Sequence, residues 1–342
     1  MRDISDLRQR QALPLGAKIL MSQSRIREWY EHWNGNVYVS FSGGKDSTVL
    51  AHLVRELYSD VPLVFSNTGL EYPEIQSFAR KMGAEFVRPK MAFSEVVSKY
   101  GYPIISKENA GTIACARAIR GGNPRNTGYH RKDLLGMRVV PQKQMEEDSG
   151  GEWKDWRRKA LTGSGNFSKE TKSMYNKEKW LPLCQETQFM ISDRCCNVMK
   201  KSPIKAYQKR TGRYPYIGTL AEESKLREQA WIKHGCNAFD DKKKTSQPMS
   251  FWREQDVLQY IRENRIEIAS VYGEIVSVDQ DGMQYEPLPG IDCKLKCSEC
   301  QRTGCVFCGF GAHLEKGETR FQRLARTHPK QYEYCMRGGA MG

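Results

Sequence analysis

The sequence predicts an α/β protein with a doubly wound, mostly parallel β-sheet and a C-terminal cysteine-rich subdomain. Between residues 37 and 90, short apolar segments alternate with longer amphipathic ones. This alternation is typical of strands joined by helical crossovers in a parallel sheet. Five cysteines lie within the stretch CKLKCSECQRTGCVFC at residues 293–308, and that density indicates metal or redox chemistry.

The N-terminal elements follow one another as helix, strand and helix. Residues 15–33 place apolar side chains at helical spacing, and Asn34-Gly35 ends that helix. VYVSF predicts a buried strand, and DSTVLAHLVRELYS predicts the helix after it. VPLVFSNTG predicts a second strand that ends in a polar loop, YPEIQSFARKMG a helix closed by Gly83, and AEFVRPK a third strand. Ligands of such sheets bind at the carboxyl ends of the strands.

The rest of the chain predicts two further regions. We expect a first domain over residues 1–220, with a basic, irregular insertion at about 110–180, and a helical, cysteine-rich region over 221–342. In the second region, residues 221–235 and 250–265 have helical patterns, and Ser250 is a candidate N-cap of the later helix.

Composition restricts the function classes. The 342 residues carry a formal net charge of +14, which favours polyanionic partners such as nucleotides, tRNA or DNA. No apolar run approaches the roughly 18 residues of a membrane-spanning helix. The first residues lack the apolar core of a signal peptide, and eleven cysteines without secretion argue against a disulfide framework. We therefore expect a cytoplasmic protein without a membrane partner.

The stretch SFSGGKDST, residues 40–48, predicts a phosphate site where a strand passes into a helix. Successive N–H groups of such a turn can bind anionic oxygens, and the helix N-terminus adds to the attraction. We expect Lys45 to neutralise phosphate charge and Asp46 to hold Mg²⁺. The compact loop suits the pyrophosphate of ATP and leaves the α-phosphate open to attack. The residues expected to bind the nucleotide here are Ser40, Ser42, Gly43, Gly44, Lys45, Asp46, Ser47 and Thr48.

These residues resemble the pyrophosphate loop of PP-loop ATP pyrophosphatases, and SNTGLEYPE resembles a segment of the PAPS (3′-phosphoadenylyl sulfate) reductase family. DRCCNVMKKSPI and GTLAEESKLREQAW are similar to that family's double-cysteine and Gly…Ser-x-x-Arg stretches. The resemblance implies an adenine nucleotide alpha-hydrolase-like fold with a bound adenine nucleotide. The further nucleotide-binding residues that it implies are Asn67, Thr68, Gly69, Glu71, Glu223, Ser224 and Arg227.

Two departures from the family's reductases bear on the reaction. The chain has no match to their C-terminal Glu-Cys-Gly-Leu-His nucleophile segment, and it keeps the intact Ser-Gly-Gly-Lys-Asp-Ser loop of ATP-cleaving relatives. This favours a PP-loop enzyme that adenylates a substrate, releases pyrophosphate and then transfers sulfur, possibly onto nucleic acid, from a cysteine-desulfurase-type donor. Lys45, Asp46, Arg227 and Cys236 are the candidate catalytic residues. The alternatives are PAPS or APS (adenylyl sulfate) reduction, and non-catalytic binding of nucleic acid.

Four cysteines resemble the [4Fe–4S] ligands of APS reductases: Cys195, Cys196, Cys305 and Cys308. A rival set, Cys293, Cys297 and Cys300, leaves open a structural Zn²⁺ in the C-terminal cysteine cluster. Cys236 is a candidate sulfur carrier or substitute ligand, with a buried hydrophobic cysteine as the simpler interpretation.

Charged residues outside the loop allow two interpretations each. Arg227 is either an anion contact or part of a salt bridge within its helix. Arg320, Arg323 and Arg326 form a basic stripe that either meets nucleic acid or is a solvated face.

Overall fold

The computed structural model describes residues 2–120, 178–180, 182–183, 189–239, 244–279, 281–286 and 293–336. The chain divides into two compact units, and each unit is assembled from several separate segments of the sequence. The first contains Met1–Asn67, Glu71–Arg88 and Pro203–Gly304, and the second contains Thr68–Leu70, Pro89–Ser202 and Cys305–Gly342. The predicted boundary at residue 220 falls inside the first unit, because strands on both sides of it belong to one sheet.

The described residues form ten strands and eleven α-helices. The strands are β1 (Val37–Phe41), β2 (Leu63–Ser66), β3 (Glu85–Val87), β4 (Ile104–Ile105), β5 (Tyr214–Ile217), β6 (Asn237–Ala238), β7 (Thr245–Ser246), β8 (Ile275–Val278), β9 (Lys294–Cys297) and β10 (Gly309–Phe310). The helices are α1 (Ile4–Gln11), α2 (Leu15–His32), α3 (Lys45–Leu57), α4 (Pro73–Lys81), α5 (Phe93–Tyr100), α6 (Lys107–Arg120), α7 (Ser202–Thr211), α8 (Lys225–His234), α9 (Glu254–Glu263), α10 (Arg320–Thr327) and α11 (Pro329–Met336).

The first unit contains a six-stranded sheet in the order β3-β2-β1-β5-β7-β6. All neighbours are parallel except β6 and β7, which confirms the predicted α/β fold with a doubly wound, mostly parallel sheet. In β1, every residue but Ser40 is buried, as expected of a central strand covered on both faces. The strand order reverses between β1 and β5, which is the position where such sheets bind ligands.

The predicted helix endings are confirmed, but one predicted helix start is wrong. Asn34 and Gly35 have φ values of 48° and 73°, and this left-handed backbone ends α2. Ser250 does not cap α9. Its N–H donates to the Gln247 carbonyl in a turn, whereas the Asp256 carboxylate accepts the N–H of Arg253 at 2.6 Å and the helix begins at Glu254.

The second unit contains a small parallel pair, β4 with β10. Irregular structure was expected from about residue 110, but α6 continues to Arg120. The reason is that Ala110 and Ile113 pack against Ile105 and Ile191 in a small core. Residues 121–177, which carry most of the predicted basic insertion, lie outside the described residues. None of the helices in the described part of the chain is both long and apolar enough to cross a membrane.

Candidate nucleotide site and cysteine group

The predicted phosphate loop lies at the carboxyl end of β1, beside the point where the strand order reverses. It leads directly into α3, which begins at Lys45 with Gly44 as its N-cap. The loop after β5 approaches it closely, because a Cβ at Gly218 would lie 2.9 Å from the Asp46 carbonyl oxygen. The structure therefore places the loop where a parallel sheet binds its ligand.

The backbone of the loop depends on glycine and on two serines. Gly43 has a φ of 71°, and a Cβ there would lie 2.8 Å from Cγ2 of Ile75 in α4. Ser47 Oγ accepts the Ser42 N–H at 3.2 Å and donates to the Gly44 carbonyl at 2.9 Å. The N-cap Gly44 has no side chain to cap α3, and its own N–H donates to Ser42 Oγ at 3.3 Å. The N–H groups of a helix N-terminus attract anions.

Lys45 is almost fully buried and is held by a carboxylate far away in sequence. Its Nζ lies 3.0 Å from Glu254 Oε1, and the two side chains are 5% and 41% exposed. The same ammonium lies 5.7 Å from the ring centroid of Tyr272. Burial raises the pKa of the Cys297 thiol, and a hydrogen bond with Lys45 opposes that rise.

Asp46 has an electrostatic environment that combines burial with several charges. Burial raises the pKa of its carboxyl, the Lys45 ammonium opposes that rise, and the Glu254 carboxylate adds to it. Arg302 and Arg227 also lower the pKa of Asp46. The Asp46 carboxyl is therefore partly withdrawn from water and lies in the combined field of three cations and one further carboxylate.

The Glu223–Arg227 stretch contains the salt bridge that one interpretation of its arginine predicts, and the anion contact stays a prediction. Arg227 forms an ion pair with Glu223, as the salt-bridge interpretation predicts. Burial lowers the pKa of Arg227 and the Asp46 charge opposes that, so its guanidinium also acts on the loop. Ser224 is the N-cap of α8 and accepts the Arg227 N–H at 3.3 Å.

Three residues near the loop were missed by sequence reasoning: Glu254, Tyr272 and Thr303. Cys297 was considered only as a zinc ligand, although the structure places it beside Lys45. Lys45 and Glu254 are separated by 209 residues, so no local spacing pattern in the sequence could predict that they form a pair. The Tyr272 hydroxyl lies 2.5 Å from Thr303 Oγ1 and 3.5 Å from the position of a Cβ on Gly44. Burial raises the pKa of Tyr272, and the charges of Cys300 and Asp46 add to that rise.

The second predicted nucleotide segment, Ser66–Glu71, is divided between the two units. Asn67 belongs to the first, where its N–H donates to the Val87 carbonyl at 2.9 Å. Thr68, Gly69 and Leu70 belong to the second. There, Thr68 Oγ1 lies 4.0 Å from Cys305 Sγ, and the Val306 N–H donates to the Leu70 carbonyl at 2.7 Å.

The four predicted cluster ligands all belong to the second unit. Burial raises the pKa of Cys195, and the charges of Cys305, Cys196 and Cys308 raise it further. Cys196 directly precedes a π-helical turn, Asn197–Lys201, a local geometry that is frequent at functional sites. The described residues contain no group of three or more His, Cys, Asp or Glu side chains that could hold a metal ion.

The other candidate cysteines have different surroundings. Cys293 directly precedes the extended β9, so the Cα atoms of Cys293 and Cys297 are separated by roughly 13 Å, at about 3.3 Å per residue. Cys293 is therefore far from Cys297 along the strand. The Sγ atom of Cys293 lies 3.1 Å from Ser277 Oγ. Cys236 is buried and accepts a hydrogen bond from Ser250 Oγ at 3.5 Å. None of the contacts described for Cys236 is to a residue of the phosphate loop.

Comparisons with known proteins agree with the motifs. The sequence matches the phosphoadenosine phosphosulfate reductase domain over residues 36–109 and 163–309. Uncharacterized protein MJ0973 of Methanocaldococcus jannaschii is 33% identical over 90 residues, which cover 24% of this chain and 22% of that protein. Uncharacterized protein MJ0066 of the same organism is 38% identical over 84 residues, covering 23% and 18%. The chain spans about a fifth of the length of these curated relatives.

Proposed function

Since the chain belongs to the phosphoadenosine phosphosulfate reductase family, we propose that it is a PP-loop enzyme of that family that binds ATP, adenylates a substrate and supports sulfur transfer. The observation that carries the proposal is the intact Ser42–Ser47 loop at the end of β1, with the buried Lys45 held by a half-exposed Glu254. A phosphate can replace that carboxylate as the partner of the lysine. A sulfonucleotide is already activated and needs no such pyrophosphate site.

In the proposed reaction, the pyrophosphate portion of ATP binds the loop N–H groups and Lys45, and Asp46 holds Mg²⁺. An acceptor oxygen, possibly on tRNA or DNA, attacks the α-phosphate. A new O–P bond forms, the bond to the bridging oxygen breaks, and pyrophosphate leaves with the electron pair. Arg227 stabilises the charge that develops on the α-phosphate oxygens. Hydrosulfide, released from the persulfide of a cysteine-desulfurase-type donor by a thiol that is oxidised to a disulfide, then forms a bond to the acceptor atom that carries the adenylated oxygen. The bond between that atom and the oxygen breaks, and AMP leaves with the oxygen.

The cysteine group supports a [4Fe–4S] cluster as the cofactor of the second unit. Cys195, Cys196, Cys305 and Cys308 would supply the four sulfur ligands that such a cluster needs, and the other three cysteines all contribute to the raised pKa of Cys195. A cluster of four irons is larger than one ion, so its ligands need not meet the spacing of a single-ion site. The cluster would supply an electron-transfer or sulfur-binding centre. Cys236 remains only a candidate sulfur carrier.

The second candidate is reduction of PAPS or APS, which the description of the matched domain favours. It requires a nucleophilic cysteine that accepts the sulfonate group, with later release of sulfite. The two reactions differ in one measurable requirement, because adenylation consumes ATP and sulfonucleotide reduction does not.

The test begins with protein purified without oxygen, whose iron, sulfide and zinc contents are measured. ATP and Mg²⁺ are then added, and pyrophosphate is assayed with and without tRNA or DNA. We expect Lys45→Ala to abolish pyrophosphate release. Lys81→Ala is the matched control, because Lys81 is 64% exposed and pairs with Glu267. Unchanged release by Lys45→Ala refutes the loop assignment, and sulfite release from PAPS or APS without ATP establishes the alternative.

A further inference from the structure

Glu254, the partner of Lys45, is the first residue of α9, and the first turn of this helix is held by a buried ion pair. Lys18 of α2 is only 2% exposed, and its Nζ donates to Asp256 Oδ1 at 2.8 Å and to Asp256 Oδ2 at 2.7 Å. The same ammonium donates to the Gln11 carbonyl at 2.8 Å. The ion pair therefore joins α2 to the start of α9.

Asp256 transmits this restraint to the backbone of the first turn. Its Oδ2 also accepts the Arg253 N–H at 2.6 Å, so the carboxylate that binds Lys18 caps the helix as well. One turn further along α2, Ser22 Oγ accepts a hydrogen bond from Trp252 Nε1 at 2.9 Å, and both residues are buried. Two residues of α2 thus hold the chain just before the start of α9 and inside its first turn.

This arrangement determines where the Glu254 carboxylate can lie. A glutamate side chain has several rotatable bonds, and that of Glu254 is 41% exposed, so its 3.0 Å contact with Lys45 depends on where the backbone places it. Buried ion pairs often add little net stability, because desolvation offsets the attraction, but they can fix one geometry. The side chains of Lys18 and Asp256 are 2% and 13% exposed, so salt screens this pair only weakly.

We propose that Lys18 and Asp256 are positioning residues of the phosphate loop: their buried ion pair fixes the first turn of α9 and thereby holds Glu254 against Lys45 until a phosphate replaces the carboxylate. All four residues belong to the first unit. The effect on ATP rests on the proposed function, whereas the contact between Glu254 and Lys45 belongs to the structure itself. Loosening the ion pair therefore makes the Lys45 amine more reactive and reduces the competition that a phosphate meets there.

The first experiment compares the full-length wild type, Lys18→Met, Glu254→Gln and the double variant, each checked for folding by circular dichroism. ATP is titrated calorimetrically in EDTA at low salt. Lys18→Met is expected to tighten ATP binding by about two- to fivefold, the upper value being that of removing the Glu254 charge altogether. In the Glu254→Gln background, Lys18→Met is expected to change nothing, because the carboxylate through which it acts is absent.

The second experiment needs no nucleotide. The rate at which acetic anhydride acetylates Lys45 is followed by mass spectrometry, with the 64% exposed Lys81 of the same chain as reference. Lys18→Met is expected to raise the rate at Lys45 relative to Lys81 about threefold, because a looser first turn of α9 opens more often. If Lys18→Met does not fold, Asp256→Asn replaces it, since asparagine removes the charge but keeps an oxygen for the Arg253 N–H.

Two further variants of α2 are the matched controls. Arg25→Gln also removes one positive charge from this helix, where Arg25 forms an exposed pair with Glu28. Ile26→Ala removes buried apolar volume from the same helix and therefore costs stability, but it leaves every hydrogen bond of the ion pair intact. Both controls are expected to keep the ATP affinity and the Lys45 labelling of the wild type.

The outcomes separate the positioning role from the proposed function. Unchanged Lys45 labelling in folded Lys18→Met overturns the role of Lys18 and Asp256, and so does an equal change of labelling in the wild-type and Glu254→Gln backgrounds. Faster labelling of Lys45 in Lys18→Met, together with a wild type that does not bind ATP, overturns the proposed function and supports the positioning role.

Discussion

Replacing Glu254 by glutamine is expected to tighten the binding of ATP in the absence of Mg²⁺. Glu254 holds the Lys45 ammonium at 3.0 Å, so a phosphate has to displace a carboxylate before it can pair with the lysine. The same carboxylate raises the pKa of Asp46, which shows that its negative charge reaches the loop. Glutamine keeps the shape and a carbonyl oxygen for Lys45 but removes the charge.

The size of the effect follows from the exposure of the two partners. Exposed ion pairs contribute about 0.2–1 kcal/mol, and Lys45 is only 5% exposed while Glu254 is 41% exposed. The pair therefore belongs at the upper end of that range, about 1 kcal/mol, which corresponds to about a fivefold change in Kd. Because Glu254 is partly solvated, the gain is expected to shrink as salt is added.

The assay is a calorimetric titration of ATP into each variant in the presence of EDTA, at low and high salt. Glu263→Gln is the matched control, since it removes a carboxylate from the other end of α9, where Glu263 accepts a hydrogen bond from Gln259. That end lies about 13 Å away, at about 1.5 Å per residue. Unchanged or weaker ATP binding by Glu254→Gln would refute the view that the carboxylate competes with phosphate for Lys45.

Three further predictions concern the loop and the cysteines. Because burial raises the pKa of Asp46, its ionised form lowers stability above that pKa, and Asp46→Asn should therefore increase the free energy of unfolding at neutral pH. Urea unfolding at several pH values should show that this gain fades toward pH 3.8, the ordinary pKa of the group. A gain that is the same at every pH contradicts the prediction. Gly43→Ala and Gly83→Ala both place alanine at positive φ, which costs about 1 kcal/mol of stability in each variant. Only Gly43 lacks room for a Cβ, so thermal unfolding should show that Gly43→Ala loses about 1 kcal/mol more stability than Gly83→Ala. Equal losses would show that the space at Gly43 is not limiting. Cys195→Ser should lose the iron and sulfide of the wild type while Cys236→Ser keeps them, and metal analysis showing the reverse would exchange their roles.

The central part of the fold could be predicted from the sequence because its signals are local. The apolar run of β1, the glycine turn and the amphipathic α3 follow one another without interruption, and Asn34-Gly35 marks the end of α2. The start of α9 could not be predicted from capping preference. Ser250 is buried in a turn beside Cys236, and tertiary packing outweighed its preference for an N-cap.

The surroundings of Lys45 could not be predicted either, because they depend on contacts across the sequence. Glu254 and Tyr272 follow β5 and β7 in the sequence and contact Lys45 only through the tertiary structure. Cysteine spacing was similarly ambiguous, since the run at residues 293–308 allowed two ligand sets, one with Cys305 and Cys308 and a rival one with Cys297 and Cys300. The structure assigns Cys297 and Cys300 to one unit and Cys305 and Cys308 to the other.

The discontinuous assembly of the two units has a consequence for how this chain can be dissected. The backbone passes between the units at residues 67–68, 70–71, 88–89, 202–203 and 304–305. No single cut therefore yields either unit as an intact fragment. A polypeptide that stops at Gly304 contains every segment of the first unit but lacks Cys305, Cys308 and the partner strand of β4. During synthesis, the unit with the phosphate loop can be completed first, while the cysteine unit must wait for its last segment.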